Sequence, residues 1–208
     1  SDFSYDDIKE NVLVKSPIEF TGKNYLDTGV KLLDEDRDFV LAIDYMMAAT
    51  TTSNSVLAQC YQQNGMNGFR LWYNNGVKAA WGTSSSKESA ASTGAREMLV
   101  IRHVKGDNNL HVYTSNISGV DIGYENLQRD RTTKTDATLV FGCSKADDGA
   151  FENHAVGSVY WAKIWFADLG DAACRELASW THETRTYEVA GFKRFYLSDN
   201  TSKRCSIT

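Results

Sequence analysis

The fold is decided by one stretch, Gly157-Ser-Val-Tyr-Trp-Ala-Lys-Ile-Trp-Phe-Ala-Asp-Leu-Gly170. Successive side chains of a strand point to opposite faces, and here both faces carry large apolar groups. The alternation predicts one face formed by Val159, Trp161, Lys163 and Trp165, and an opposite face formed by Tyr160, Ala162, Ile164 and Phe166. A strand that is bulky on both faces is typical of the interior of a packed all-β domain.

A short helix is predicted directly after this strand, in the sequence Asp171-Ala-Ala-Cys-Arg-Glu-Leu-Ala178. Asp171 is a residue type that favours the N-cap position of a helix. Ala173, Leu177 and Trp180 recur at helical spacing and would line one side of it. We therefore expect one short helix near residues 171–180.

The composition favours one domain built from sheets. The chain has 208 residues, of which 42% are hydrophobic and 12% aromatic, and this length can bury one sizeable core. Aromatic and β-branched side chains pack well on a pleated surface.

The net charge is −5 and no block of basic residues occurs, so we expect no nucleic-acid partner. No apolar run reaches membrane-spanning length, so we expect no membrane partner.

Short strand patterns separated by polar turns recur along the chain. In Phe39-Val-Leu-Ala-Ile-Asp-Tyr45 the alternation places the large apolar residues on one face and Asp44 on the other. Asn74-Asn-Gly76 predicts a tight hairpin turn, because Asn and Gly tolerate positive φ. Many such strands predict an all-β, two-sheet antiparallel jelly-roll sandwich. We expect a lead-in over residues 1–17, the jelly-roll domain over 18–183, and over 184–208 a C-terminal hairpin or the start of a following module, in a parent protein that continues.

The cysteines show no metal-binding spacing. None of Cys60, Cys143, Cys174 and Cys205 forms a Cys-x-x-Cys pair, and no histidine stands at a recognised interval from them. Free cysteine is among the most buried residue types, so we predict buried reduced thiols. A disulfide is the alternative if the protein is extracellular.

Four segments, in order, resemble the laminin-G-like and concanavalin A-like lectin and glucanase superfamily. They are Ile18-Glu-Phe-Thr-Gly-Lys-Asn-Tyr-Leu-Asp-Thr-Gly29, Phe39 to Ile43, Leu99 to Tyr113, and Gly157 to Ala178. The resemblance covers residues 18 to about 180 and implies a concanavalin A-like jelly roll. Relatives often carry an acidic pair in the closing strand. This chain has Tyr160 and Trp161 there, which argues against an acid-dependent metal or catalytic role at that position.

Two segments, Val159 to Gly170 and Leu177-Ala-Ser-Trp-Thr-His-Glu183, also resemble lectin-like domains in tail-associated proteins of bacteriophages and prophages. Such domains often precede another module, and the segment from Phe195 to Ile207 fits that order. This resemblance implies a location in a virion tail, or at an extracellular or cell surface. The partners that it implies are a glycan or cell-surface receptor and other subunits of a virion or an adhesin.

The sequence argues against catalysis. Glucanases of this superfamily carry carboxylates in a Glu-x-Asp-x-x-Glu pattern, and retaining hydrolysis needs two carboxyl groups about 5 Å apart. The pattern does not occur here, and the densest acidic run, Asp34-Glu-Asp-Arg-Asp38, is typical of a solvated turn. We predict that the chain is not an enzyme but a carbohydrate-recognition or adhesion module of a larger protein. A scaffold domain that binds no glycan is the alternative, and a glycoside hydrolase is the less favoured one.

The candidate ligand-binding residues cluster around one predicted hairpin: Arg70, Trp72, Asn74, Asn75 and Trp81. Sugars present apolar C–H faces and hydroxyl edges, so aromatic rings beside charged and amide groups suit them. If the segment's odd-numbered residues from Phe69 to Tyr73 face the core, Arg70 and Trp72 lie together on the outer face. The competing interpretation is that Trp72 and Trp81 fill the core.

Calcium is the one cofactor that the resemblance suggests, because many superfamily members hold it through loop carboxylates and carbonyl oxygens. The best oxygen-rich loop contains Asp147 and Asp148, with Glu152 and Asn153 a few residues on. Asp147, Asp148 and Glu152 are therefore the candidate ligands. The competing interpretation is an ordinary solvated loop.

Overall fold

Two antiparallel sheets form the fold, which confirms the predicted all-β sandwich. The computed structural model describes residues 12–14, 17–85, 94–115, 122–129, 134–179, 186–187 and 195–196. One helix, α1 (Asp171–Ala178), lies in these ranges. The strands are, in chain order, β1 (Val12–Val14), β2 (Ile18–Thr21), β3 (Leu26–Asp27), β4 (Phe39–Met47), β5 (Val56–Gln62), β6 (Asn67–Tyr73), β7 (Val77–Trp81), β8 (Ser84–Ser85), β9 (Glu97–His103), β10 (Asn109–Ser115), β11 (Ile122–Gln128), β12 (Val140–Phe141), β13 (Ser144–Lys145), β14 (Phe151–Glu152), β15 (Val156–Trp165), β16 (Thr186–Tyr187) and β17 (Phe195–Tyr196).

The two large sheets are built from strands that are far apart in the chain. The first sheet has the order β1-β15-β4-β9-β10-β11, and β2 also pairs with β15. The second sheet has the order β3-β12-β5-β6-β7-β8. The chain enters the second sheet three times, at β3, at β5 to β8 and at β12, and each time it returns to the first sheet, at β4, β9 and β15. The hydrophobic core between the sheets is therefore formed by residues that are far apart in the sequence.

The main hydrophobic core lies between the two sheets. From β4 it receives the alternating residues that the sequence predicted, Phe39, Leu41, Ile43 and Tyr45. On the opposite face of β4, Asp44 accepts two hydrogen bonds from Arg96, of 2.9 and 2.6 Å. The second sheet contributes fully buried side chains, among them Ala58, Cys60, Phe69, Leu71, Ala79, Trp81 and Phe141.

Strand β15 contains a bulge at Tyr160 that the sequence analysis did not predict. Val159 lies opposite Tyr45 of β4, yet Trp161 lies opposite Asp44, the very next residue of that strand. An extra residue on one strand reverses the faces of all the residues that follow it. The predicted grouping of Val159 and Trp161 on one face was therefore wrong.

The bulge decides which residues of β15 lie under the helix. Val159 faces the core together with Ala162 and Ile164, whereas Trp161 and Trp165 lie on the outer face of the first sheet. Helix α1 covers that outer face with the buried side chains Ala173, Cys174, Leu177 and Ala178. Full burial of a side chain of the size of Leu177 stabilises the fold by roughly 1.5–3 kcal/mol. The strand is covered on both faces, as its composition predicted.

The helix begins where it was predicted, but its N-cap differs. The N-cap residue is Gly170, with φ 84°, and Asp171 is the first helical residue. The carboxylate of Asp171 accepts hydrogen bonds from the hydroxyl of Tyr113 (2.9 Å) and from Nε of Arg175 (2.8 Å). Asp171 thus ties the helix to strand β10 instead of capping it. Trp180, which was predicted to share the apolar side of the helix, lies outside the described residues.

The acidic loop before β4 is more than a solvated turn. Asp36 accepts hydrogen bonds from Nε2 of His103 (3.0 Å) and from the main-chain amide of Gly106 (2.9 Å). Asp38 accepts one from the amide of Lys105 (2.7 Å). Because these donors belong to β9 and its following turn, the loop is fastened to the β9–β10 hairpin.

The cysteine prediction is confirmed for the described residues. Cys60, Cys143 and Cys174 are free and buried, and burial raises the pKa of each thiol to about 12. Cys205 lies outside the described residues.

The C-terminal segment contains one described strand pairing, of Phe195–Tyr196 with Thr186–Tyr187. The rest of the predicted C-terminal hairpin lies outside the described residues. In the described part of the chain, we find no helix with the length and apolar character needed to cross a membrane.

Candidate functional site

Strand β6 places Arg70 and Trp72 on the outer face of the second sheet, as the alternation predicted. Their neighbours Phe69 and Leu71 are buried in the core. The guanidinium carbon of Arg70 lies 5.6 Å from the centre of the Trp72 ring and 5.5 Å from the centre of the Tyr61 ring. A cation near an aromatic face is attracted by the electrons of the ring. Two rings therefore hold the guanidinium in place.

Arg70 has hydrogen-bonding capacity that the described protein leaves unused. Its Nε is buried and has no hydrogen-bond partner. The ion pairs among the described residues do not include it. A buried polar group without a partner costs on the order of 1–3 kcal/mol. The charge of the partly exposed guanidinium has no carboxylate partner among the described residues, and an anionic ligand would supply one.

Gln59 supplies an unused acceptor on the neighbouring strand. It lies opposite Arg70 in the β5–β6 ladder and is only 3% exposed. Its Nε2 donates a hydrogen bond of 3.3 Å to the main-chain oxygen of Lys145, whereas its Oε1 is buried and has no partner. Gln59 thus lies beside Arg70 and lines the pocket, while its side-chain oxygen is buried.

A pocket of about 280 Å³ opens beside these residues. Its walls come from β5, from the segment before β12 and from the β13–β14 turn: Gln59, Tyr61, Gln62, Thr135, Asp136, Ala137, Thr138, Lys145, Ala146, Asp147 and Gly149. Ligand pockets commonly combine such concavity with a few convergent polar groups. The pocket and the Arg70 side chain share Tyr61 as a common wall.

Hydrogen bonds between distant segments fix the walls of the pocket. Asp147 accepts hydrogen bonds from the main-chain amides of Gln63 (3.0 Å) and Asn64 (2.7 Å), one on each carboxylate oxygen. Lys145 donates one of 3.1 Å from Nζ to Asp27 of β3. A site that is already formed costs little conformational entropy when a ligand binds.

The charge at the β3 side of the pocket is balanced. Burial by itself would raise the pKa of the Asp27 carboxyl, but hydrogen bonds from the Gly29 amide and from Lys145 help to hold that pKa below its ordinary value. Asp27 is therefore ionised at neutral pH and neutralises Lys145. Two cations of this face, Arg70 on β6 and Lys78 opposite Trp72 on β7, take part in none of the ion pairs of the described residues.

The candidate calcium ligands are not brought together. Asp147 holds the β5–β6 turn as described, and Asp148 accepts a hydrogen bond of 2.9 Å from the amide of Ala150 within its own turn. Glu152 is exposed on β14. Across the described ranges, no three His, Cys, Asp or Glu side chains gather at a point where they could hold a metal ion. Asp147 and Asp148 each accept hydrogen bonds from main-chain amides.

The remaining candidate residues of the hairpin divide into two groups. Trp81 is completely buried in the core, and its Nε1 donates a hydrogen bond of 2.9 Å to the main-chain oxygen of Asn108. Trp81 thus lies in the core, as the competing interpretation of the sequence held. Asn74 and Asn75 are exposed in the β6–β7 turn, and Asn75 has the positive φ (55°) that the sequence predicted.

Two residues of this face were missed by the sequence analysis although a signal was present. In β5, Ala58 and Cys60 belong to the core. Strict alternation then places Gln59 and Tyr61 on the outer face, beside Arg70 on the paired strand. Lys145 and the 135–138 segment gave no such signal, because only long-range packing brings them to the pocket.

The fold is thus a lectin-type jelly-roll sandwich with a preformed polar face. No family model and no curated protein matches the sequence, whereas many solved structures share the fold. The carbohydrate-binding module CBM40 of the Ruminococcus gnavus IT-sialidase, bound to α2,3-sialyllactose, superposes with a TM-score of 0.62 at 14% identity, covering 78% of this chain and 96% of that chain.

Two further solved structures show how widely this fold is used. A leech intramolecular trans-sialidase, complexed with 2,7-anhydro-Neu5Ac, gives a TM-score of 0.63 at 10% identity and covers 82% of this chain but 28% of that chain. A heptameric SAP-like pentraxin from Limulus polyphemus gives 0.55 at 14% identity, with 84% of both chains covered. At these identities the likeness shows the fold alone.

Proposed function

We propose that this chain is a non-catalytic carbohydrate-recognition module of a larger protein and that it binds its glycan on the outer face of the second sheet. The observation that carries the proposal is the guanidinium of Arg70, which lies near the rings of Tyr61 and Trp72 beside a preformed pocket and forms no ion pair among the described residues. Apolar C–H faces of a sugar suit the rings of Tyr61 and Trp72.

The unpaired charge of Arg70 favours an acidic glycan. A carboxylate would accept hydrogen bonds from the guanidinium, and charge-assisted bonds of this kind are about twice as strong as neutral ones. The CBM40 module with the same fold was solved with α2,3-sialyllactose bound, and related crystals contain α2,6-sialyllactose. Sialylated glycans are therefore the first ligands to test.

The pocket does not favour hydrolysis. Glycosidases place two carboxyl groups about 5 to 9.5 Å apart, one as acid and one as nucleophile or base. Of the described residues that line the pocket, two are carboxylates, Asp136 and Asp147. Asp147 uses both oxygens to accept main-chain hydrogen bonds, so it is poorly placed to act as an acid or a nucleophile. These contacts support a binding role.

The biological setting is proposed from the sequence resemblance. A recognition or adhesion module in a phage tail protein, in a virion or at a cell surface would bind glycans on a host surface. The competing proposal is a scaffold domain that contacts only other subunits and binds no glycan.

Calorimetry with 3′-sialyllactose and with lactose tests the proposal. We expect the sialylated sugar to bind and lactose to bind at least tenfold more weakly, because lactose lacks the carboxylate for Arg70. Arg70→Ala should lower the affinity for sialyllactose about 10- to 100-fold, the equivalent of one charge-assisted hydrogen-bonding group.

Arg175→Ala is the matched control for that variant. Arg175 also lies near an aromatic ring, 4.8 Å from the centre of Tyr124, but on the helix that covers the first sheet. Its loss should leave the affinity unchanged. Failure of the folded protein to bind any acidic or neutral sugar on a glycan array would reject the proposal in favour of the scaffold. Release of reducing ends from the glycan would show an enzyme.

A further inference from the structure

A stacked aromatic pair lies next to Lys145, which lines the same pocket. The rings of Tyr25 and Phe151 stack with their centres 3.8 Å apart and their planes 16° from parallel. Tyr25 is nevertheless 43% exposed, which places it among the few large hydrophobic side chains of the described residues that face solvent. An exposed, rigidly stacked ring is a suitable surface for the apolar face of a sugar. We name this pair the Tyr25–Phe151 platform.

Lys145 connects the platform to the pocket. Its chain lines the pocket, and its Nζ lies 5.6 Å from the centre of the Phe151 ring. Lys145 also lies directly opposite Phe151 in the β13–β14 ladder. Because the hydrogen bond to Asp27 holds the ammonium group, the platform and the pocket keep a fixed relation to each other.

The register of the second sheet gives the distance between the two ends of this surface. Asp27, Val140, Gln59 and Arg70 lie opposite one another on the adjacent strands β3, β12, β5 and β6. Three intervals at the usual strand spacing of about 4.8 Å make a row of roughly 14 Å. The platform lies at the β3 end of this row and Arg70 lies at the β6 end. One sugar ring cannot contact both ends.

A second unused polar group lies beside the platform. His154 has a buried Nδ1 without a hydrogen-bond partner, and its ring centre lies 6.3 Å from that of Tyr25. Sugar-binding surfaces need a polar group next to each stacking ring, because the hydroxyl edge of the sugar must also be satisfied. The platform therefore combines an aromatic ring with a nearby polar group, as the surface around Arg70 does.

We propose that the Tyr25–Phe151 platform is a second sugar subsite and that the ligand is an oligosaccharide reaching from β6 to β3 over Lys145, because Val140 and Gln59 between the two ends are buried. The acidic sugar binds at Arg70, and a neutral pyranose further along the same chain stacks on Tyr25. This inference rests on the function proposed above, since it extends the same site.

The test compares three ligands that share one acidic sugar: free N-acetylneuraminic acid, 3′-sialyllactose and a sialylated pentasaccharide. Calorimetry on the whole chain should show affinity that rises with ligand length. Tyr25→Ala should lower the affinity for the pentasaccharide about 3- to 10-fold, the usual effect of one stacked ring. It should leave the affinity for the free acidic sugar unchanged. Tyr25→Phe keeps the ring and should restore the longer ligand's affinity.

Tyr124→Ala is the matched control, because Tyr124 is 41% exposed but lies on β11 of the first sheet. It should not change the affinity for any of the three ligands. If Tyr25→Ala has no effect on the longest ligand, or if length brings no gain, the platform is not a subsite, while binding at Arg70 still stands. If none of the three ligands binds, the proposed function and this inference both fail.

Discussion

Arg70 and Trp72 are two residues apart on strand β6, and the guanidinium carbon of the first lies 5.6 Å from the ring centre of the second. The arginine is held by its aromatic neighbours, and its Nε has no hydrogen-bond partner. The two rings thus hold the guanidinium of Arg70 in position without a carboxylate partner among the described residues. Arg96 differs, because it forms two hydrogen bonds with Asp44.

The planar shape of Arg70 should matter as well as its charge. Arg70→Lys keeps the positive charge but loses the planar fork that binds a carboxylate at two points. We expect this variant to bind 3′-sialyllactose about tenfold more weakly than the wild type, as for a lost charge-assisted hydrogen bond. Calorimetry measures it, with lactose as the uncharged comparison. An Arg70→Lys variant of undiminished affinity would show that charge alone is recognised.

The two tryptophans of the predicted site should behave differently. Trp81 is fully buried and hydrogen-bonded to Asn108, so Trp81→Ala should lower the free energy of unfolding by about 3–5 kcal/mol. Trp72 is half-buried on the outer face, so Trp72→Ala should lower it by about 1 kcal/mol. Urea denaturation followed by circular dichroism measures both. Equal losses would contradict the assignment of Trp72 to a surface.

The sequence allowed part of this site to be predicted, because regular strands obey strict alternation. That rule placed Arg70 and Trp72 on one face. It also could have excluded Trp81, since Val77-Lys-Ala-Ala-Trp81 puts Trp81 on the same face as the apolar Val77. The pocket could not be predicted, because its walls come from segments some 80 residues away from β5 in the chain.

The bulge in β15 is a second feature that could not be predicted from the sequence. Alternation was correct for β4, which is regular, but it failed at Tyr160, where one extra residue enters the strand. Nothing in the residue types distinguishes this position, because Val159, Tyr160 and Trp161 are all good strand formers. The register is decided by the partner strand and by the helix that covers Trp161, and both are tertiary effects.

Gly157 should tolerate no side chain. It pairs with Phe20 of β2 and with Met47 of β4, and its φ is 154°. A Cβ atom there would lie 2.2 Å from the main-chain oxygen of Met46. Gly149 also has a positive φ (88°), but a Cβ atom there would meet nothing within 4 Å.

We therefore expect Gly149→Ala to cost about 1–2 kcal/mol from backbone strain alone. Gly157→Ala should cost a further 1–3 kcal/mol from the clash. Chemical denaturation of the two variants gives the difference directly. Equal costs would show that the strands at Gly157 can separate without loss.

The buried thiols should resist modification in the folded protein. Burial raises the pKa of Cys60, Cys143 and Cys174 to about 12, so little thiolate forms at pH 8. In a Cys205→Ser variant, we expect no reaction with a thiol reagent such as DTNB under native conditions and three reactive thiols in guanidinium chloride. Rapid modification in the native state would indicate that the core opens locally.

Glu97 is the buried acid whose ionisation should affect stability. It begins strand β9 opposite Tyr45 and is 3% exposed. Neither its Oε1 nor the hydroxyl of Tyr45 has a hydrogen-bond partner. Burial raises the pKa of Glu97 from 4.5 to about 7 in the folded state, because the ionised form loses its hydration.

The sign of the pH effect follows from that shift. Below pH 4.5 Glu97 is protonated in both the folded and the unfolded state, so folding does not remove a charge from water at this position. Between pH 4.5 and 7 the unfolded state releases the proton first, so stability falls by up to about 3 kcal/mol, and above pH 7 the loss is constant. Glu97→Gln removes this titration. Urea denaturation at pH 5 and pH 8 should therefore show that the variant gains stability relative to the wild type as the pH rises. A difference between the two proteins that stays constant with pH would mean that Glu97 ionises normally.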